Sequence, residues 1–105
     1  MALSKKELFN ARSASEKLEA GLEIAVVNVG TYPDKDKDGK DVTVSVLVAE
    51  DGTVYAGISA TVAESIPMLD ELIEEAKANG ETVVVEVIVN KSNNGREFMQ
   101  LKAIN

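Results

Sequence analysis

The chain has 105 residues, one domain's worth, and its 45% hydrophobic and 28% charged content is enough to bury a core. Eighteen acidic residues against eleven basic ones leave a net charge of −7, which argues against coating duplex DNA by bulk charge. Cysteine, histidine and tryptophan are absent, which excludes disulfide scaffolds, thiol nucleophiles, Cys/His zinc sites and histidine general bases.

Residues 4–20 read as a helix: Ser4 and Glu7 fit a capping box, Leu8, Ala11, Ala14 or Ser15, and Leu18 recur at helical spacing, and Gly21 stands where a helix stops. Ser13 and Ser15 weaken its middle, so a break near there is compatible with the pattern. Phe9 is expected to be the apolar anchor that docks this helix. The N-terminus has no signal-peptide core, and no apolar run approaches the roughly 18 residues needed to cross a bilayer. A cytoplasmic protein with no membrane partner is the expectation, host cytoplasm if the source is viral.

The period changes over residues 22–32, where Val26, Val27 and Val29 mark a strand that Tyr32-Pro33 is expected to end. A charged turn follows from Asp34 to Asp41. Its Asp34-x-Asp36-x-Asp38-Gly39 matches the first half of a calcium loop, but position twelve is Ser45 inside a strand, so no metal is assigned. Val42, Val44, Val46 and Val48 alternate with Thr43, Ser45, Leu47 and Ala49, and Asp51-Gly52 then signals a hairpin into a third strand over 53–60. A helix with an acidic outer face runs to Asn79-Gly80, opened either by Thr61 with Glu64 or by Ser65-Ile66-Pro67. Residues 82–90 form a strand, 92–95 a turn, and 96–104 a last strand with Met99, Leu101 and Ala103 on one face.

The order β-β-β-α-β-β after an N-terminal helix is that of the five-stranded OB barrel, a mainly β fold that binds oligonucleotides or oligosaccharides. A plain α+β sheet shares that order. The reading is one domain, with helix 4–20 ahead of a barrel over 22–105.

The closing segment Asn90-Lys-Ser-Asn-Asn-Gly-Arg-Glu-Phe-Met-Gln-Leu-Lys-Ala-Ile104 resembles the last hairpin of OB-fold single-stranded DNA-binding proteins, most of all the small bacteriophage type. It lacks the tryptophans and the glycine-rich, acidic-tipped tail of the bacterial housekeeping family. The resemblance implies a non-catalytic, sequence-independent binder of single-stranded DNA in phage replication or recombination, without a cofactor. RNA is the other single strand such chemistry admits, unless a contact to the ribose hydroxyl discriminates.

Stacking of bases on aromatic rings and pairing of phosphates with cations would carry that binding. Phe98 shares a face with Gln100 and Lys102, and Tyr55 shares one with Gly57 and Ser59, which looks open to a base. Tyr32 stands at the mouth of the first turn. Lys91 and Arg96 flank the last turn, and the first turn carries Lys35, Lys37 and Lys40 among four aspartates. The candidate nucleic-acid-binding residues are therefore Tyr32, Tyr55, Lys91, Arg96, Phe98 and Lys102, with the two hairpin loops expected to border one cleft. No Gly-x-Ser-x-Gly or Gly-Lys-Ser/Thr signature is present, and enzyme chemistry is not expected. The competing reading is an acidic protein-interaction or inhibitor module, OB-like or α+β, that meets a basic protein partner through the acidic helix. Self-association through the N-terminal helix is a further option.

Overall fold

A computed structural model describes residues 3–12 and 15–104. Helix α1 (Lys5–Ala11) is followed by a two-residue strand β1 (Glu16–Lys17), then β2 (Glu23–Lys35), β3 (Asp41–Ala49), β4 (Val54–Gly57), helix α2 (Ala60–Ala78), β5 (Val83–Lys91) and β6 (Glu97–Ala103). All six strands form one sheet in the order β1-β4-β3-β2-β5-β6. Without β1, this is the order expected of a five-stranded OB-like barrel with one seam left open.

The seam has a local cause. The edge of β4 that a closed barrel would give to β6 pairs instead with β1, in parallel, Glu16 opposite Tyr55 and Lys17 opposite Ala56. The chain then crosses the gap: the Leu18 amide donates to the Ala56 carbonyl at 3.1 Å, and the Gly21 amide to the Val87 carbonyl at 2.8 Å. Leu18 fills the space between and is 1% exposed. The helix expected over 4–20 thus ends at Ala11, and its second half is a strand and a plug. Positions 13 and 14 lie outside the described residues. Leu18 keeps helical spacing from Leu8 and Ala11 but serves a different core.

Two apolar clusters lie on opposite sides of the sheet. The inner one joins Ile24, Val26 and Val29 of β2, Leu47 and Ala49 of β3, Val83, Val85 and Val87 of β5, and Leu18 to one stripe of α2, Val62, Ile66, Leu69, Ile73 and Ala76. Burying each such branched side chain stabilises the fold by about 1.5–3 kcal/mol. The outer cluster joins Val44 and Val46 of β3 to Leu3 and Ala11, with Leu8, Tyr32, Val48, Val54 and Ala56 packed around them. The alternation read in β3 is real, but both of its faces are buried, because the N-terminal segment and α1 cover the outer one. The Leu3 amide donates to the Val29 carbonyl at 2.8 Å. Gly30 permits this approach, since a Cβ there would stand 3.0 Å from both Leu3 and Leu8.

Strand β2 departs from the expected 22–32 range in two ways. Pro33 does not end it; Pro33 pairs with Thr43 and the ladder continues to Lys35. Only Glu23 to Val26 of β2 pair with β5, so Pro33 lies on a free edge, where a missing amide hydrogen is tolerated. A bulge between Val26 and Asn28 reverses the inward parity, from Ile24 and Val26 to Val29. Tyr32 is thereby turned to the outer face.

Helix α2 is capped by neither predicted opening. Ser59 is the N-cap, its hydroxyl accepting from the Val62 amide at 3.4 Å, and Pro67 sits inside the helix. No helix among the described residues is long and apolar enough to cross a membrane.

Candidate nucleic-acid interface

The acidic residues of α2 lie on the far side of the sheet from α1, because α2 packs on the inner cluster and α1 on the outer one. From Lys5 to Arg12 the chain carries Lys5, Lys6 and Arg12 against Glu7 alone. The net charge of −7 is thus unevenly laid out, and the outer face around α1 is locally basic.

Tyr32 is half-buried on that outer face. The Arg12 guanidinium stands over its ring, 5.7 Å from the centroid, within cation–π range. The same guanidinium lies 3.9 Å from an Asp34 carboxylate oxygen, both side chains well solvated, so the ion pair is weak. Burial pushes the Tyr32 phenol above its ordinary value; Asp34 adds to the rise and Arg12 opposes it. The ring therefore stays neutral at physiological pH and does not repel phosphate.

Lys5, Leu8, Phe9 and Arg12 of the helix line a depression of about 250 Å³ together with Tyr32 and Pro33. Phe9 is 70% exposed and belongs to neither core, so it is not the anchor that docks α1. Leu8 and Ala11, three residues apart, take that role with Leu3. Lys5, Phe9 and Arg12, at i, i+4 and i+7, form the neighbouring stripe, a spacing visible in the sequence, where Phe9 alone is singled out, as the docking anchor.

Phe98, Gln100 and Lys102 have the parity opposite to Met99 and Leu101, which pack on the inner core, so all three face outward as expected. Asn90, opposite Phe98 in register, donates its side-chain amide to Gln100. Lys102 stands opposite Glu86 and Lys91 opposite Glu97. Lys91 shares the inner parity of Val89 and Met99 and so points away from the Phe98 side. Arg96 is exposed at the end of the turn, where the Ser92 amide donates to the Arg96 carbonyl at 2.9 Å.

The side of Tyr55 that looked open is occupied. A Cβ on Gly57 would stand 3.0 Å from Leu18, and Tyr55 packs against the inner core. Its surroundings are also acidic: Glu16, Glu19, Glu23, Glu50 and Asp51 line the shallow depressions beside it. Tyr55 and Phe98 therefore sit on opposite faces of the sheet, and the expected side-by-side pair of rings is not formed.

In register, the two hairpin loops run off in opposite directions from the pairing of β2 with β5. Tyr32 lies six residues beyond the Val26–Val83 pair in one direction along the sheet. Asn90, the partner of Phe98, lies seven residues beyond it in the other. In the first loop the Asp36 carboxylate accepts from the amides of Asp38 and Lys40, each at 2.9 Å, and Lys35 pairs with Asp41 at 2.5 Å. That loop's carboxylates hold its own turn together and offset its lysines.

Two ring-and-cation groups thus have the outer parity of the sheet: Tyr32 with Lys5, Phe9 and Arg12, and Phe98 with Lys102 near Arg96. Glu23 and Glu86, opposite each other in register, lie between them.

The family model for the phage single-stranded DNA-binding protein of the phi29 type matches residues 2–103 of the chain. The single-stranded DNA-binding protein of Bacillus phage PZA is 32% identical over 103 residues, covering 91% of this chain and 82% of that protein. That of Bacillus phage phi29 is 35% identical over 78 residues, 74% of this chain and 61% of that protein. That of Bacillus phage B103 is 35% identical over 84 residues, 77% of this chain and 67% of that protein. No solved structure matches the chain.

Proposed function

The chain belongs to the phi29-type family of phage single-stranded DNA-binding proteins, and from that premise we propose that it coats single strands during phage DNA replication or recombination in the host cytoplasm, without catalysis. Family membership over nearly the whole chain is the observation that carries this reading. The local placement of charge supports it: the acidic stripe of α2 lies on the side away from α1, while Phe9, Tyr32 and Phe98 stand beside cations on the other.

On this reading Phe98 is a stacking platform of β6, with Lys102 beside it and Arg96 at the turn drawing the phosphates in. Tyr32 is the second platform, its neutral ring backed by Arg12. Lys91 contributes at most general attraction, since it faces Glu97 on the other side of the strand. Tyr55 has the weakest support of the six candidates, being packed on the core and ringed by carboxylates. Stacking on such rings tolerates any sequence, since every base has a π-face.

Titration of a labelled oligo-dT, followed by anisotropy, tests the proposal. Saturable binding that weakens as salt rises is expected. Phe98→Ala should lose about tenfold in affinity, within the range for one stacked base. Arg96→Gln should lower the slope of log K against log salt by about 0.7. No binding at low salt overturns the proposal.

A further inference from the structure

Helix α1, like β1, stands outside the β-α barrel order, and its exposed stripe belongs to neither apolar cluster. Leu3, Leu8 and Ala11 account for its docking on the outer face. The adjoining stripe of Lys5, Phe9 and Arg12 is turned toward Tyr32 and Pro33 across an open depression. A lone exposed phenylalanine means little. Here the exposed ring has a cation one turn before it and another nearly one turn after it. A second ring stands across the depression, and one cation lies over that ring.

We infer that α1 and β2 together form a nucleobase-and-phosphate subsite, in which Phe9 and Tyr32 present ring faces to one or two bases while Lys5 and Arg12 take the adjoining phosphates. The inference rests on the single-stranded DNA reading above and adds residues to it. Arg12 is suited to the exchange. Its present partner Asp34 is 3.9 Å away and both side chains reach solvent, so little is lost when the guanidinium turns to a phosphate. The guanidinium already stands over the Tyr32 ring, at the depression, before a strand arrives. The helix therefore serves as one wall of a binding site, and its docking through Leu3 and Leu8 sets the width of that site.

The test compares the full chain with Phe9→Ala, Phe9→Tyr and Arg12→Gln, reading oligo-dT affinity by anisotropy, thermal midpoint by circular dichroism, and association state by sedimentation. Phe9→Ala is expected to weaken binding about tenfold, with Phe9→Tyr near the parent. The thermal midpoint should not move in either, since Phe9 contacts no core. Arg12→Gln should lower the salt slope by about 0.7. If the parent chain binds oligo-dT and both Phe9→Ala and Arg12→Gln bind as tightly as it does, the subsite is wrong and the family reading stands. If Phe9→Ala changes the association state and leaves DNA affinity untouched, the stripe covers a second copy and the subsite is again wrong. If the parent chain binds no oligo-dT at low salt, the underlying reading fails and this inference falls with it.

Discussion

The Ser59 hydroxyl donates to the Met99 carbonyl at 3.1 Å, joining the end of β4 to β6 across forty residues of sequence. It does so where β4 and β6 form no backbone ladder, β1 having taken the edge of β4. The same oxygen caps α2 by accepting from the Val62 amide. One side chain thus starts the helix that covers the inner core and spans the open seam of the sheet.

Ser59→Ala should therefore cost more than loss of an ordinary cap. A lost N-cap is worth about 1 kcal/mol and a part-buried hydrogen bond a similar amount, so a destabilisation of about 2 kcal/mol is expected. Denaturant unfolding gives the total, and hydrogen exchange locates it. Faster exchange at Val62 alone would mean that the seam contact contributes nothing.

Gly30→Ala tests how α1 is held. The added Cβ would meet the Cβ of Leu3, part of the packed N-terminal segment, and the Cδ2 of Leu8, each at 3.0 Å. The Cβ of Leu3 is fixed by its backbone and no rotamer change moves it, so the N-terminal segment must lift. A loss of about 1–3 kcal/mol is expected, the usual cost of overpacking, together with loss of protection at the Leu3 amide. The Val29 carbonyl that accepts from that amide should keep its place in β2, because the inner core is untouched. Unfolding at an unchanged denaturant midpoint would refute this account.

Much of the sheet was readable because alternation is a local signal. Strand β3, from Asp41 to Ala49, and β5, from Val83 to Lys91, follow the sequence reading to within a residue at each end. What escaped was decided by contacts distant in sequence. Leu18 sits at a spacing that a helix would also produce, and only Gly57, thirty-nine residues on, makes room for it as a plug. The outward turn of Tyr32 depends on the bulge beside Val27, and a one-residue parity shift leaves no compositional trace. The open side of Tyr55 was read correctly as lacking large side chains, but the space was already taken by another part of the chain. For Phe9 the signal was present. Leu8 and Ala11 define the docking stripe by themselves, and Phe9 lies roughly 100° around the helix from Leu8.

The chain has two tyrosines and no tryptophan, so its intrinsic fluorescence divides between Tyr32 and Tyr55. The two rings stand on opposite faces, one beside Arg12 and the other on the inner core. Binding on the outer face should quench Tyr32 and spare Tyr55. Tyr55→Phe is expected to retain most of the quenching produced by saturating oligo-dT, and Tyr32→Phe to lose it while anisotropy still reports a complex. The reverse result would place the strand on the Tyr55 side and remove Tyr32 from the interface.

The capping box of α1 makes the docking of the helix depend on pH. The Ser4 amide donates to a Glu7 carboxylate oxygen at 3.1 Å, and the Ser4 hydroxyl accepts from the Glu7 amide at 3.2 Å. The bond from the Ser4 backbone, and then that with its side chain, holds the Glu7 carboxyl below its ordinary value of 4.5. A depressed carboxyl binds its proton less readily in the folded chain than in the unfolded one. Its contribution is therefore fully present above the ordinary value and is lost as pH falls through the lower, folded one. Protection of the Leu3 amide, corrected for the intrinsic exchange rate at each pH, should decline across that acidic window. Glu7→Gln should show weaker protection at neutral pH and no such decline. A chain whose Leu3 protection falls equally in both forms would owe its acid sensitivity to another group, and the capping box would have no part in holding α1 against the sheet.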